Sequence, residues 1–131
     1  MKNKYLKILL PLVALILLVG VYSLVNGEKD EIKLSFPSNP TTGYDWTYYV
    51  DNEGIIEIDE EYKSTCKEGM VGCGGTKEFE IEGVKRGEVT LTFKYKRNWE
   101  ETEYDKVAIY KLKVNSLKNV EIISKSGNYF E

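Results

Sequence analysis

Apolar residues fall at every second position in six stretches of this chain, and that period leaves few folds open. Ile32, Leu34 and Phe36 alternate with Lys33 and Ser35. Tyr44, Trp46, Tyr48 and Val50 alternate with Asp45, Thr47 and Tyr49. Ile56 and Ile58 alternate with Glu57 and Asp59, and Phe79 and Ile81 with Glu78, Glu80 and Glu82. Val89, Leu91, Phe93 and Tyr95 alternate with Thr90, Thr92 and Lys94. Ala108, Tyr110, Leu112 and Val114 alternate with Ile109, Lys111 and Lys113. A repeat of two is the pleat of a β-strand with one dry face and one wet face. No convincing helical pattern appears after residue 26. Several such strands at short spacing predict an all-β antiparallel β-sandwich. Val84 to Glu88 reads as a turn between two strands. Val120, Ile122 and Ile123 offer one more edge strand, and residues 124–131 are expected to fray.

The first 27 residues do not belong to that domain. Lys2, Lys4 and Lys7 precede an apolar run from Ile8 to Val25, which the charged group Glu28 to Glu31 closes. A positive start followed by an apolar core is the pattern of an export signal. The run sits between a long signal peptide and a short membrane span, so both a cleaved signal peptide and an uncleaved signal-anchor stay open. The lysines keep the N-terminal end in the cytoplasm, and the domain is expected outside, extracellular or on the outer face of the membrane. Contact with a membrane is expected only through this segment if it stays uncleaved. The chain thus divides into residues 1–27, a domain over 28–115 and a C-terminal tail over 116–131.

Composition removes several functions. The chain has no histidine, which excludes Ser-His-Asp and Cys-His hydrolases and most catalytic zinc sites. Without its first three lysines the formal charge moves from −3 to −6, and no basic patch for nucleic acid remains. No cofactor or metal is expected. Carboxylate chemistry is what an enzyme would have left, and the acidic residues are scattered on alternating, solvated positions.

Three segments interrupt the alternation. The first, Asn39-Pro40-Thr41-Thr42-Gly43-Tyr44, contains no group reactive at neutral pH. It is built to be stiff: Pro40 fixes its own φ, Gly43 permits angles other residues avoid, and the threonines are rotamer-poor. The second, Ser64 to Thr76, carries Gly69, Gly72, Gly74 and Gly75. The third contains Arg97-Asn98-Trp99-Glu100. Each follows an odd-numbered strand, and such connections in an up-down arrangement can meet at one end of a sandwich, where binding loops gather.

Together the segments resemble the three signature loops of chagasin-type inhibitors of papain-like cysteine proteases, whose patterns are N-P-T-T-G-Y/F, G-x-G-G and R-P-W. The first is matched in full at Asn39 to Tyr44 and the second at Gly72-Cys73-Gly74-Gly75. In the third Arg97 and Trp99 match, and Asn98 stands where the family usually has proline. The resemblance spans about Ile32 to Val114. It implies an immunoglobulin-like sandwich and a reversible, non-enzymatic inhibitor, expected to be a monomer, that occludes the protease cleft with three loops. Carried over, Asn39, Pro40, Thr41, Thr42 and Gly43 enter the cleft, with Thr41 and Thr42 across the catalytic cysteine and histidine. Gly72, Cys73, Gly74 and Gly75 pair along the unprimed side through their backbone, and Arg97 and Trp99 grip the primed side, the indole on an aromatic surface.

Blander readings stand beside these. The first loop could be only a strand-connecting turn, the glycines a bulge, Trp99 a core residue and Arg97 a partner of Glu100 or Glu101. Tyr44 and Trp46 read as core. Cys66 and Cys73 face an oxidising exterior, where a disulfide is the default and two free thiols the alternative; the spacing is not Cys-x-x-Cys, so no redox role is expected. The competing function is a non-catalytic immunoglobulin-like adhesion or assembly module of a cell surface, with a carboxylate enzyme behind it.

Overall fold

The computed structural model describes residues 7, 11–18 and 31–131. Residues 11–18 are helical, and among the described residues no helix is long and apolar enough to cross a membrane. Apart from Lys7, the remainder of the export segment lies outside the described residues.

Residues 32–126 form seven strands: β1 (Ile32–Ser38), β2 (Asp45–Val50), β3 (Ile56–Ser64), β4 (Gly75–Gly83), β5 (Gly87–Lys96), β6 (Lys106–Val114) and β7 (Val120–Ser126). They pair antiparallel into two sheets, ordered β1-β4-β3 and β2-β5-β6-β7. The alternation reads out directly. Phe36, Phe79 and Ile81 point inward from the first sheet, and Trp46, Val89, Leu91, Phe93, Ala108, Leu112 and Val114 from the second. At the loop end of this core, aromatic rings form a continuous pile. Phe36 stacks on Trp46 with centroids 4.3 Å apart, Trp46 stacks on Tyr95 at 4.9 Å, and Phe79 meets Phe93 at 4.7 Å.

Polar ties hold the two sheets together at the same end. Trp46 Nε1 donates to the Pro37 carbonyl across the sheets at 3.0 Å. Lys77, on the inward face of β4, donates to the Trp46 carbonyl at 3.0 Å and pairs with Asp45 at 3.1 Å. A buried ammonium is tolerated only with such partners. Lys77 begins the inward series that the sequence reading starts at Phe79.

Three elements depart from the alternation. β3 runs beyond its apolar part to Ser64, along a charged, exposed edge. Tyr48 faces inward at the side of the sandwich but keeps 41% of its surface exposed, its ring edge on Phe79 and Phe93. The third is a correction: the chain end does not fray. Residues 124–126 complete β7 against β6, and Asn128–Phe130 form a short 3-10 turn. Asn128 accepts from the Val107 N–H at 2.6 Å and donates to the Asp105 carbonyl at 3.0 Å. Tyr129 then meets Phe36 and Trp46 edge-on at 5.3 and 5.4 Å. An aromatic ring half-buried against two others outweighs the entropy that frays an unanchored terminus.

Candidate functional site

The three interrupting segments lie side by side at one end of the sandwich, with loop 1 (39–44) between loop 2 (65–74) and loop 3 (97–105). Loop 1 is one turn of 3-10 helix over Pro40–Thr42. Asn39 caps it: its side-chain oxygen accepts from Thr41 N–H at 3.3 Å and from the Thr41 hydroxyl at 2.5 Å. Thr42 donates its hydroxyl to the Asn39 carbonyl at 2.6 Å. Pro40 occupies the first helical position, where its missing N–H costs nothing. Gly43 ends the turn at φ 84°. Both threonine hydroxyls therefore donate to Asn39 oxygens, which are no bases, and neither is set up as a nucleophile. What the turn presents outward is the exposed surface of Pro40, Thr41 and Thr42.

Loop 2 joins β3 to β4. Its base is closed by Thr65, whose N–H and hydroxyl both donate to the Gly74 carbonyl at 3.0 and 2.6 Å. Next to this pair Cys66 and Cys73 form a disulfide, with Cα atoms 5.3 Å apart. Asn39 Nδ2 donates to the Gly72 carbonyl at 3.4 Å, linking loops 1 and 2. Gly75 is the first residue of β4, facing Ser38 of β1 and Ser64 of β3. A β-carbon there would overlap the Lys63 carbonyl and the Tyr62 ring. At the tip, Met70 and Val71 are exposed, Val71 by 93%. The sequence reading passes over this apolar pair, although it stands out in a loop of glycine and charge.

Loop 3 reaches loop 1 from the other side. Arg97 Nε donates to the Thr42 carbonyl at 3.0 Å, and its guanidinium lies over the Tyr44 ring at 4.6 Å. Glu100 takes another of its donors at 2.6 Å and holds the guanidinium pKa above its already basic value. Arg97 does pair with Glu100, as the blander reading had it, and it also brackets loop 1. Trp99 is 68% exposed and lies on Gly43, where a β-carbon would overlap its ring. It is not core, whereas Tyr44 and Trp46 are buried. Asn98 is exposed beside it.

Residues without a motif support the arrangement. The Tyr44 hydroxyl hydrogen-bonds to the Thr102 hydroxyl, which donates to Asp105 at 3.1 Å. Tyr95 accepts from the Asn39 N–H at 3.3 Å. Thr102 and Asp105 carry no local signal, and Tyr95 reads only as an inward strand residue, because their role in the loops exists only once the loops meet. Among the described residues no cluster of side chains could hold a metal ion. The assembled surface offers carbonyls, methyls, an indole and a guanidinium: groups that bind.

Residues 26–114 match the chagasin family peptidase inhibitor I42. The chain is 32% identical over 84 residues to chagasin of Trypanosoma cruzi, covering 60% of this chain and 74% of that protein. It is 32% identical over 72 residues to amoebiasin-2 of Entamoeba histolytica, covering 54% of this chain and 58% of that protein. The solution structure of amebosin superposes with a TM-score of 0.50 at 30% identity, covering 64% of this chain and 79% of the other. The match takes in the sandwich through β6 and all three loops, and the chain belongs to the chagasin family of peptidase inhibitors.

Proposed function

We propose that this chain is a reversible inhibitor of papain-like cysteine proteases, with loop 1 as the plug and loops 2 and 3 as the grips. The observation that carries this reading is the joining of three loops, far apart in sequence, into one surface by Asn39–Gly72, Arg97–Thr42 and Trp99–Gly43. In this reading Thr41 and Thr42 lie nearest the catalytic cysteine and histidine of the target. The backbone of Gly72, Cys73 and Gly74, of which Gly72 is exposed and the other two are half-buried, pairs with the unprimed side, with Gly75 at its strand end. Trp99 and Arg97 engage the primed side. Asn39, Pro40 and Gly43 give the plug its shape.

The physical case is preorganisation. A plug already held by its own hydrogen bonds loses little entropy on binding. A 3-10 turn is also a poor protease substrate, because it withholds the extended backbone that proteases pair with along their clefts. One copy carries all three loops, so a monomer suffices. The reading includes export, which the positive start at Lys2, Lys4 and Lys7 followed by the apolar run supports.

The test is inhibition of papain by the full chain in detergent micelles. Competitive inhibition with release of uncleaved chain is expected. Absence of inhibition at micromolar concentration against papain and a panel of its relatives would overturn the proposal.

A further inference from the structure

We infer that loop 2 is redox-gated: the Cys66–Cys73 disulfide keeps it in its binding shape, and reduction by an external thiol loosens it and weakens inhibition. This rests on the inhibitory reading above and adds a regulation to it.

Loop 2 differs from its neighbours in what holds it. Loops 1 and 3 are fixed by Asn39, Arg97 and ring contacts, none of which depends on redox state. Loop 2 contributes no residue to the core. The β3–β4 ladder ends at Ser64 and Gly75, and Thr65–Gly74 hydrogen bonds close the base. The disulfide is the next tie. Residues 67–72, beyond it, are all exposed. They are held by a turn from Met70 N–H to the Lys67 carbonyl at 3.0 Å and by Asn39 on the Gly72 carbonyl at 3.4 Å. Gly69 and Gly72 stand at φ 81° and 77°, angles that glycine takes and leaves freely. The covalent tie is therefore the main restraint on the segment that carries Met70, Val71 and Gly72.

Reduction is ordinary thiol–disulfide exchange. An external thiolate attacks one cystine sulfur, the S–S bond breaks, and the other sulfur leaves as a thiolate and takes a proton. A second external thiol resolves the mixed disulfide. Two thiols are oxidised to one disulfide, and Cys66 and Cys73 become thiols. Both cysteines are only half-buried within an exposed loop, so the sulfurs are within reach of a small thiol. A papain-like target uses a thiolate nucleophile that must itself stay reduced. The medium that activates the target thus also loosens its inhibitor, and inhibition is tightest where the surroundings are oxidising.

The experiment compares three forms of the full chain in detergent micelles: oxidised, reduced and alkylated with iodoacetamide, and the Cys66→Ser/Cys73→Ser double variant. Papain is activated with thiol and desalted before use. Expected is a Ki roughly tenfold higher for both altered forms, the ordering cost of a freed loop being charged to binding. Hydrogen exchange should accelerate within 65–74 while the melting transition of the sandwich persists. Equal Ki for the three forms overturns the gate and leaves the inhibitory reading standing. No inhibition by the oxidised form overturns both. Loss of the melting transition in the altered forms also overturns the gate, by making the disulfide a staple of the whole fold.

Discussion

At Gly43 two requirements meet: the backbone stands at φ 84°, and the Trp99 ring occupies the space of a β-carbon. Gly43→Ala should therefore strain the turn and push the indole off loop 1. The expected outcome is a change in tryptophan emission and weaker papain inhibition by roughly tenfold or more, the scale of a lost interface anchor. Trp99→Ala should weaken inhibition similarly, mainly through faster dissociation. Its thermal midpoint should stay nearly unchanged, because the ring is largely exposed. A large stability loss for Trp99→Ala would assign the ring to packing instead. Lys77 makes the opposite case. Its ammonium serves the Trp46 carbonyl and Asp45 from a buried position. Lys77→Met keeps the apolar stem and removes the donor, and should cost about 1–3 kcal/mol in urea unfolding.

Among the strands, β3 and β4 form an element in conflict with itself. Their outer faces set Glu57 opposite Glu82, Asp59 opposite Glu80 and Glu61 opposite Glu78. Like charges directly across a ladder destabilise it. Lys63 on Glu78, at 3.1 Å, offsets part of this. Glu31 shows the consequence: its hydrogen bond to Glu80 and the charges of Glu80 and Glu82 raise its pKa above 4.5, against the lowering pull of Lys33. A carboxyl whose folded-state pKa is raised holds its proton more tightly when folded. Its contribution is complete below the ordinary value and is lost as pH rises through the raised one. The melting temperature should thus rise as pH falls from neutral toward the carboxylate range, and added salt should raise it at neutral pH. Glu57→Lys, which turns one repulsive pair into an attractive one, should raise Tm by about 1–4 °C. A thermal scan across pH, salt and this variant decides all three.

For the molecule as a whole, the acidic sandwich follows an N-terminal run of lysine and apolar residues. Residues 1–27 fused to alkaline phosphatase in a bacterial host should give an active, exported enzyme. Reversing the charge of Lys2, Lys4 and Lys7 together should cut that activity several-fold, since positive residues ahead of an apolar run set its orientation. An inactive fusion retained in the cytoplasmic fraction would sink the export reading.

The sequence by itself determined the strand faces and the stiffness of loop 1. Each depends on neighbours along the chain: a period of two for the faces, and Asn39, Pro40 and Gly43 within five residues for the turn. It also carried the three loop motifs, because they are contiguous. Tertiary structure decided what depends on distant residues. It brought Gly72, Asn39, Thr42, Arg97 and Trp99 to one end, and set Trp99 on Gly43 rather than in the core. It extended β3 through six exposed residues, because β4 offered them a ladder that no apolar period announces. It anchored the chain end through Asn128 and Tyr129, whose partners lie over 20 residues upstream. A local pattern states which side of a residue is dry. Which distant group it meets there is fixed only when packing brings the strands together.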